Sequence, residues 1–108
     1  MFKMYNVSVG EILTEEQAQQ INGILNRSKS WLRYGPSCWL VWDANHTALE
    51  WMYLIRPVVP YSNLLVSAFS GDREESYASF SEEVWNWITG TSGGKPEEQR
   101  IALPSPET

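Results

Sequence analysis

An α+β domain, ordered strand–helix–strand–strand–helix–strand, is predicted by three features of this sequence. Two pairs with capping-box spacing, Thr14 with Gln17 and Thr47 with Glu50, each open an amphipathic segment. Runs rich in β-branched and aromatic residues occupy 4–9, 30–34, 37–42 and 64–69. Turn-forming residues (Gly35-Pro36, Asp43 to Asn45, and Pro60 to Asn63) separate most of these pieces.

From Met4 to Val9 the chain alternates, with Tyr5, Val7 and Val9 on one side and Asn6 and Ser8 on the other, the period of a half-buried strand. A helix over Glu15–Arg27 follows. Its acidic first turn suits the positive end of the helix dipole, and Ala18, Ile21, Ile24 and Leu25 form one apolar arc, with Gly23 and Asn26 outside it. Ser30–Tyr34 and Ser37–Trp42 flank the Gly35-Pro36 turn as a hairpin. The second of these runs is apolar on both faces, as expected of a central strand, so either Trp39 and Val41 or Cys38, Leu40 and Trp42 face away from the helices. A helix over Ala48–Arg56, limited by Pro57, buries Ala48, Trp51, Met52 and Ile55 and leaves Leu49 and Tyr53 as a separate apolar flank. Leu64–Phe69 is the fourth strand. A short helix near Ser81–Gly90 places Val84, Trp85 and Ile88 on the domain and Trp87 at the margin of that arc. Residues 1–90 thus form a single domain and 91–108 a tail, with an edge strand near 100–103. The βαββαβ order is that of a ferredoxin-like antiparallel sheet with two helices on one face.

The 108 residues carry 8 basic and 13 acidic side chains, a net charge of −5, which disfavours a nucleic-acid partner that needs its phosphates neutralised. A single cysteine excludes an internal disulfide and fits a reducing, cytoplasmic compartment. The sequence contains neither a membrane-length apolar run nor a signal-peptide core.

Residues that could carry chemistry are few. His46, beside Asp43 and Asn45, has no ligand-spaced cysteine and reads as a turn or capping residue. Cys38, inside an apolar strand, reads as a buried inert thiol. Asp72, Glu74 and Glu75 read as a solvated loop, and Gly93-Gly94-Lys95 lacks the strand and helix of a phosphate-binding loop. No catalytic residue, cofactor site or metal site is assigned.

Val7-Ser8-Val9, Trp31 to Val41 across the hairpin, Arg56-Pro57, Asn63 to Val66, and Val84 to Ile88 form a pattern of short, aromatic-rich pieces. In these segments the chain resembles a family, the small SinR-type and CRISPR-adaptation small-subunit-like proteins. The resemblance implies a ferredoxin-like dimer and a toxin–antitoxin, phage or defence-related setting. Nuclease-like members carry a metal-binding aspartate just after the first strand; the matching position here is Gly10, with Glu11 beside it. Magnesium is held by carboxylate oxygens, which glycine lacks, so the residues lean away from an enzyme.

Two functions are expected from these readings. One is a non-enzymatic protein-binding module, a homodimer with an unknown further protein partner, whose interface residues are Trp39, Leu49, Tyr53, Trp87, Ile101 and Leu103. In it the segment Arg100–Leu103 pairs as an edge strand, possible also on the other subunit's sheet. The alternative is an RNA- or DNA-acting protein, extending to a metal-dependent endoribonuclease, with Arg33 as a nucleic-acid contact.

Overall fold

The computed structural model describes residues 1–69, 84, 86–88 and 100–102. Its elements are β1 (Lys3–Val9), α1 (Glu15–Leu25), β2 (Ser30–Gly35), β3 (Cys38–Asp43), α2 (Ala48–Ile55), β4 (Leu64–Phe69) and β5 (Arg100–Ala102). All lie within two residues of the expected bounds. The largest difference is at α1, which stops at Leu25 because Arg27 and Ser28 donate to the carbonyls three residues back, Ile24 and Leu25, and tighten the chain into a turn.

The sheet runs β4-β1-β3-β2-β5. Each of its first four strands is antiparallel to its neighbours among them, and β5 adds in parallel to β2. Both capping boxes form as the spacing requires: the Thr14 and Thr47 hydroxyls accept from the amides of Gln17 and Glu50, whose side chains reach back to the cap amides.

The sheet has an apolar cluster on each face. Tyr5, Val7, Val9, Trp31, Trp39, Val41 and Val66 meet Ala18, Ile21 and Leu25 of α1 and Trp51 and Ile55 of α2. On the opposite face Met4, Leu32 and Leu40 meet Val84, Trp87 and Ile88. The choice left open for β3 is settled by register. Trp39 pairs with Val7 and Val41 with Tyr5, and paired residues share a face, so both tryptophan and valine go to the helices.

One expectation is corrected here. Trp87 is 5% exposed and belongs to the second cluster, not to a free margin. Residues 84, 87 and 88 have the i, i+3, i+4 spacing of one helical stripe, and the sheet face beneath them is apolar and requires cover. Trp85 lies outside the described residues. At the C-terminal end of the described residues, β5 pairs with its own chain's β2, matching Arg100, Ile101 and Ala102 to Trp31, Leu32 and Arg33. Ile101 thus sits at a sheet edge in the same subunit, and Leu103 lies outside the described residues.

The α2 cap has a pH signature. Hydrogen bonds from the Thr47 amide and then its hydroxyl hold the Glu50 carboxyl below its ordinary value of 4.5. A carboxyl depressed in the folded state stabilises above its unfolded pKa and loses that contribution as pH falls through the folded value. Glu50→Gln is therefore expected to differ from the parent in stability at neutral pH, with the gap shrinking below about pH 4.5. Chemical denaturation across a pH series checks this; a gap that does not change with pH would disprove it.

Candidate interaction surface

The residues expected at an interface divide cleanly in space. Trp39 is 0% exposed; its indole Nε1 donates to the Asn22 Oδ1 of α1 at 2.8 Å, so it is a core residue and not a surface contact. Trp31 makes the same bond one turn later, to Asn26 Oδ1 at 2.9 Å. Asn22 in α1 and Asn26, its C-cap residue, thus anchor the helix to two strands. Sequence reading missed this because an asparagine inside a helix reads as polar surface.

Leu49 and Tyr53 of α2 behave as expected, 57% and 69% exposed, while the rest of the helix packs on the sheet. Beside them lies an open groove of about 350 Å³, lined by Arg27, His46, Glu50, Tyr53 and Leu54. Its wall is built by the turn before α2. The buried Asp43 carboxylate accepts from the amides of Asn45 (3.2 Å) and His46 (2.8 Å), and its Oδ2 lies 2.9 Å from His46 Nδ1. The imidazole lies against Trp51, tilted by 34° with centroids 4.3 Å apart, and Tyr5 donates to the His46 carbonyl at 2.9 Å. His46 is therefore a turn residue, as its neighbours in sequence suggest, with its ring held at the groove.

A second groove, about 380 Å³, runs along the β1–β4 end of the sheet and is lined by Ser8 to Gly10, Arg56 and Ser62 to Leu65. Arg56 Nη1 is committed to the carbonyls of Val59 and Ser62, at 2.8 and 2.7 Å. Leu65, 58% exposed, sits at its rim.

At the resemblance's metal position, the Gly10 amide donates to the Asn63 carbonyl at 2.8 Å. A Cβ at Gly10 would lie 3.0 Å from the Asn63 Cβ, so an aspartate there would require Asn63, just before β4, to give by a few tenths of an ångström. Glu11 is held in the loop: its carbonyl accepts from Ser37 Oγ at 2.5 Å and its carboxylate from Ser62 Oγ. Among the described residues no three His, Cys, Asp or Glu side chains gather as a metal site would require.

Arg33, named above as the nucleic-acid contact of the alternative reading, is largely buried. Its side chain is only 14% exposed, donates to the Pro36 carbonyl at 2.6 Å, lies 3.9 Å from Glu15 and covers the Trp39 ring at 5.5 Å. Alternation along β2 puts Arg33 on the helix side with Trp31, away from the opposite sheet face. On that opposite face Tyr34 donates to Asn6 Oδ1 at 2.5 Å, and Asn6 Nδ2 donates to Ser8 Oγ at 2.8 Å. Cys38, expected to be buried, is half-exposed there.

Burial, followed by the neighbouring Cys38, pushes the Tyr34 hydroxyl up to about 12. A group raised in the folded state stabilises below its unfolded pKa, here 10.0, and loses that contribution as pH rises through the folded value. In an ultraviolet absorbance titration, the signal lost in Tyr34→Phe is expected to be the part that appears last, with alkaline unfolding. Loss of a component that titrates near the ordinary tyrosine value would contradict this placement.

Comparison with protein-family models, curated proteins and solved structures finds no match. Among the described residues, no helix is long and apolar enough to cross a membrane.

Proposed function

We propose that this chain is a non-enzymatic protein-binding module that works as a homodimer. The observation that carries the reading is the α2 flank: Leu49 and Tyr53 stay exposed on a helix whose remaining apolar residues are packed, beside a groove edged by Arg27, His46 and Glu50. An apolar centre with a polar rim is the anatomy of a protein contact, and an exposed tyrosine is a frequent anchor residue in one. The strand order β4-β1-β3-β2, with α1 and α2 on one face, supports the finer description of the fold as ferredoxin-like. The toxin–antitoxin, phage or defence-related setting rests on the family resemblance alone.

Two measurements test the reading. Immobilised protein is expected to retain a defined partner from its host in moderate salt, and Leu49→Asp with Tyr53→Ala should abolish that retention without changing the circular dichroism spectrum. Retention unaffected by the double change would remove the α2 flank from the function. Incubation with labelled RNA and DNA in magnesium or manganese is expected to give no cleavage. Cleavage that disappears in Glu11→Gln would overturn the non-enzymatic reading and make Glu11 a metal ligand.

A further inference from the structure

We infer that two copies of the chain join along β4, edge to edge and antiparallel, so that one sheet continues across a two-fold axis; this rests on the homodimer reading above. Among the described residues β4 is hydrogen-bonded on one side only, to β1, through six consecutive pairs without a bulge. At the other end of the sheet the chain covers β2 with β5. Natural sheet edges that stay single are interrupted by charges, prolines or bulges. β4, Leu-Leu-Val-Ser-Ala-Phe, has none of these.

Charge names the occupant. A chain of net charge −5 repels its own copies, so self-association needs a surface without charge. The fifteen residues from Pro57 to Gly71 contain no Asp, Glu, Lys or Arg, the longest such run in the sequence, and β4 lies within it. An isologous contact places a segment against itself, where any charge would meet its like.

Geometry limits the register. Directly opposed residues share a sheet face, so a continuous sheet with all helices on one side puts a residue on the axis, and pairing the greatest length of β4 makes it Val66 or Ser67. A six-residue strand is only about 20 Å long, and its pairing alone falls short of the roughly 800 Å² per partner of a standard interface. The α2 flank supplies the rest. Leu49 precedes Arg56 by seven residues, two helical turns, and so shares its side of the helix about 10 Å along the axis. Arg56 in turn lines the groove with Leu64 and Leu65 at the start of β4.

The test is the mass of the full-length protein by light scattering over a concentration series, for the parent and for Leu65→Lys and Ala68→Lys. A dimeric parent with both variants shifted to monomer, each keeping the parent's circular dichroism spectrum, is the expected result. A dimeric parent whose variants remain dimers overturns the β4 contact and leaves the homodimer reading standing. A monomeric parent at every concentration overturns both. Hydrogen exchange on the unmodified protein provides a test that needs no variant. Protection of residues 64–69 is expected to rise with concentration, and its independence of concentration would overturn the β4 contact.

Discussion

Replacing Trp39 by alanine is expected to cost about 5 kcal/mol, enough to unfold a domain of ordinary stability. Two losses combine. The side chain is fully buried between β3 and both helices, so its removal leaves a large cavity in the main cluster. It also strands the buried Asn22 Oδ1, whose partner is the Trp39 indole at 2.8 Å; an unsatisfied buried acceptor costs about 1–3 kcal/mol. The two can be separated by a cycle with Trp39→Phe and Asn22→Leu. The double variant should recover part of the sum of the single effects, because neither polar group is then left alone. Additive single effects in chemical denaturation would show that the hydrogen bond carries no coupling.

Trp87→Ala is expected to cost about 3–5 kcal/mol. The indole is 5% exposed and packs with Val84 and Ile88 over Met4, Leu32 and Leu40, so its loss leaves a large gap in the cover of that sheet face. Tyr53→Ala, at a site 69% exposed, serves as the contrast and should change stability by less than about 0.5 kcal/mol. Equal destabilisation by the two changes would place Trp87 on the surface, or Tyr53 in a packed site.

Much of the architecture can be read directly from residue order. The two capping boxes mark the starts of α1 and α2, and alternation in β1 sends Tyr5, Val7 and Val9 to the helices. The exposed flank of Leu49 and Tyr53 follows from the angular spacing of apolar residues in α2. In each case the signal is local, because a cap or a helical stripe is specified within a few residues. The interface assignments made one residue at a time were less secure. Trp39 and Trp87 read as surface because an apolar residue on a two-sided strand or a short helix does not show which side is covered.

Residue order specifies the succession of β1 to β4 with α1 and α2, the bounds of these elements to within two residues, and the polar side of each of the two helices. Tertiary structure alone decided which face of β3 meets the helices, because that depends on the pairing of Trp39 with Val7 and not on any property of β3. It also decided that Asn22 and Asn26 serve as acceptors for indoles, that Arg33 turns inward to Pro36 and Trp39, and that β5 pairs with its own β2. Each of these is a contact between residues distant in the chain or on opposing elements. Local propensity carries no information about such contacts, because the energies that select them arise only when the elements have packed.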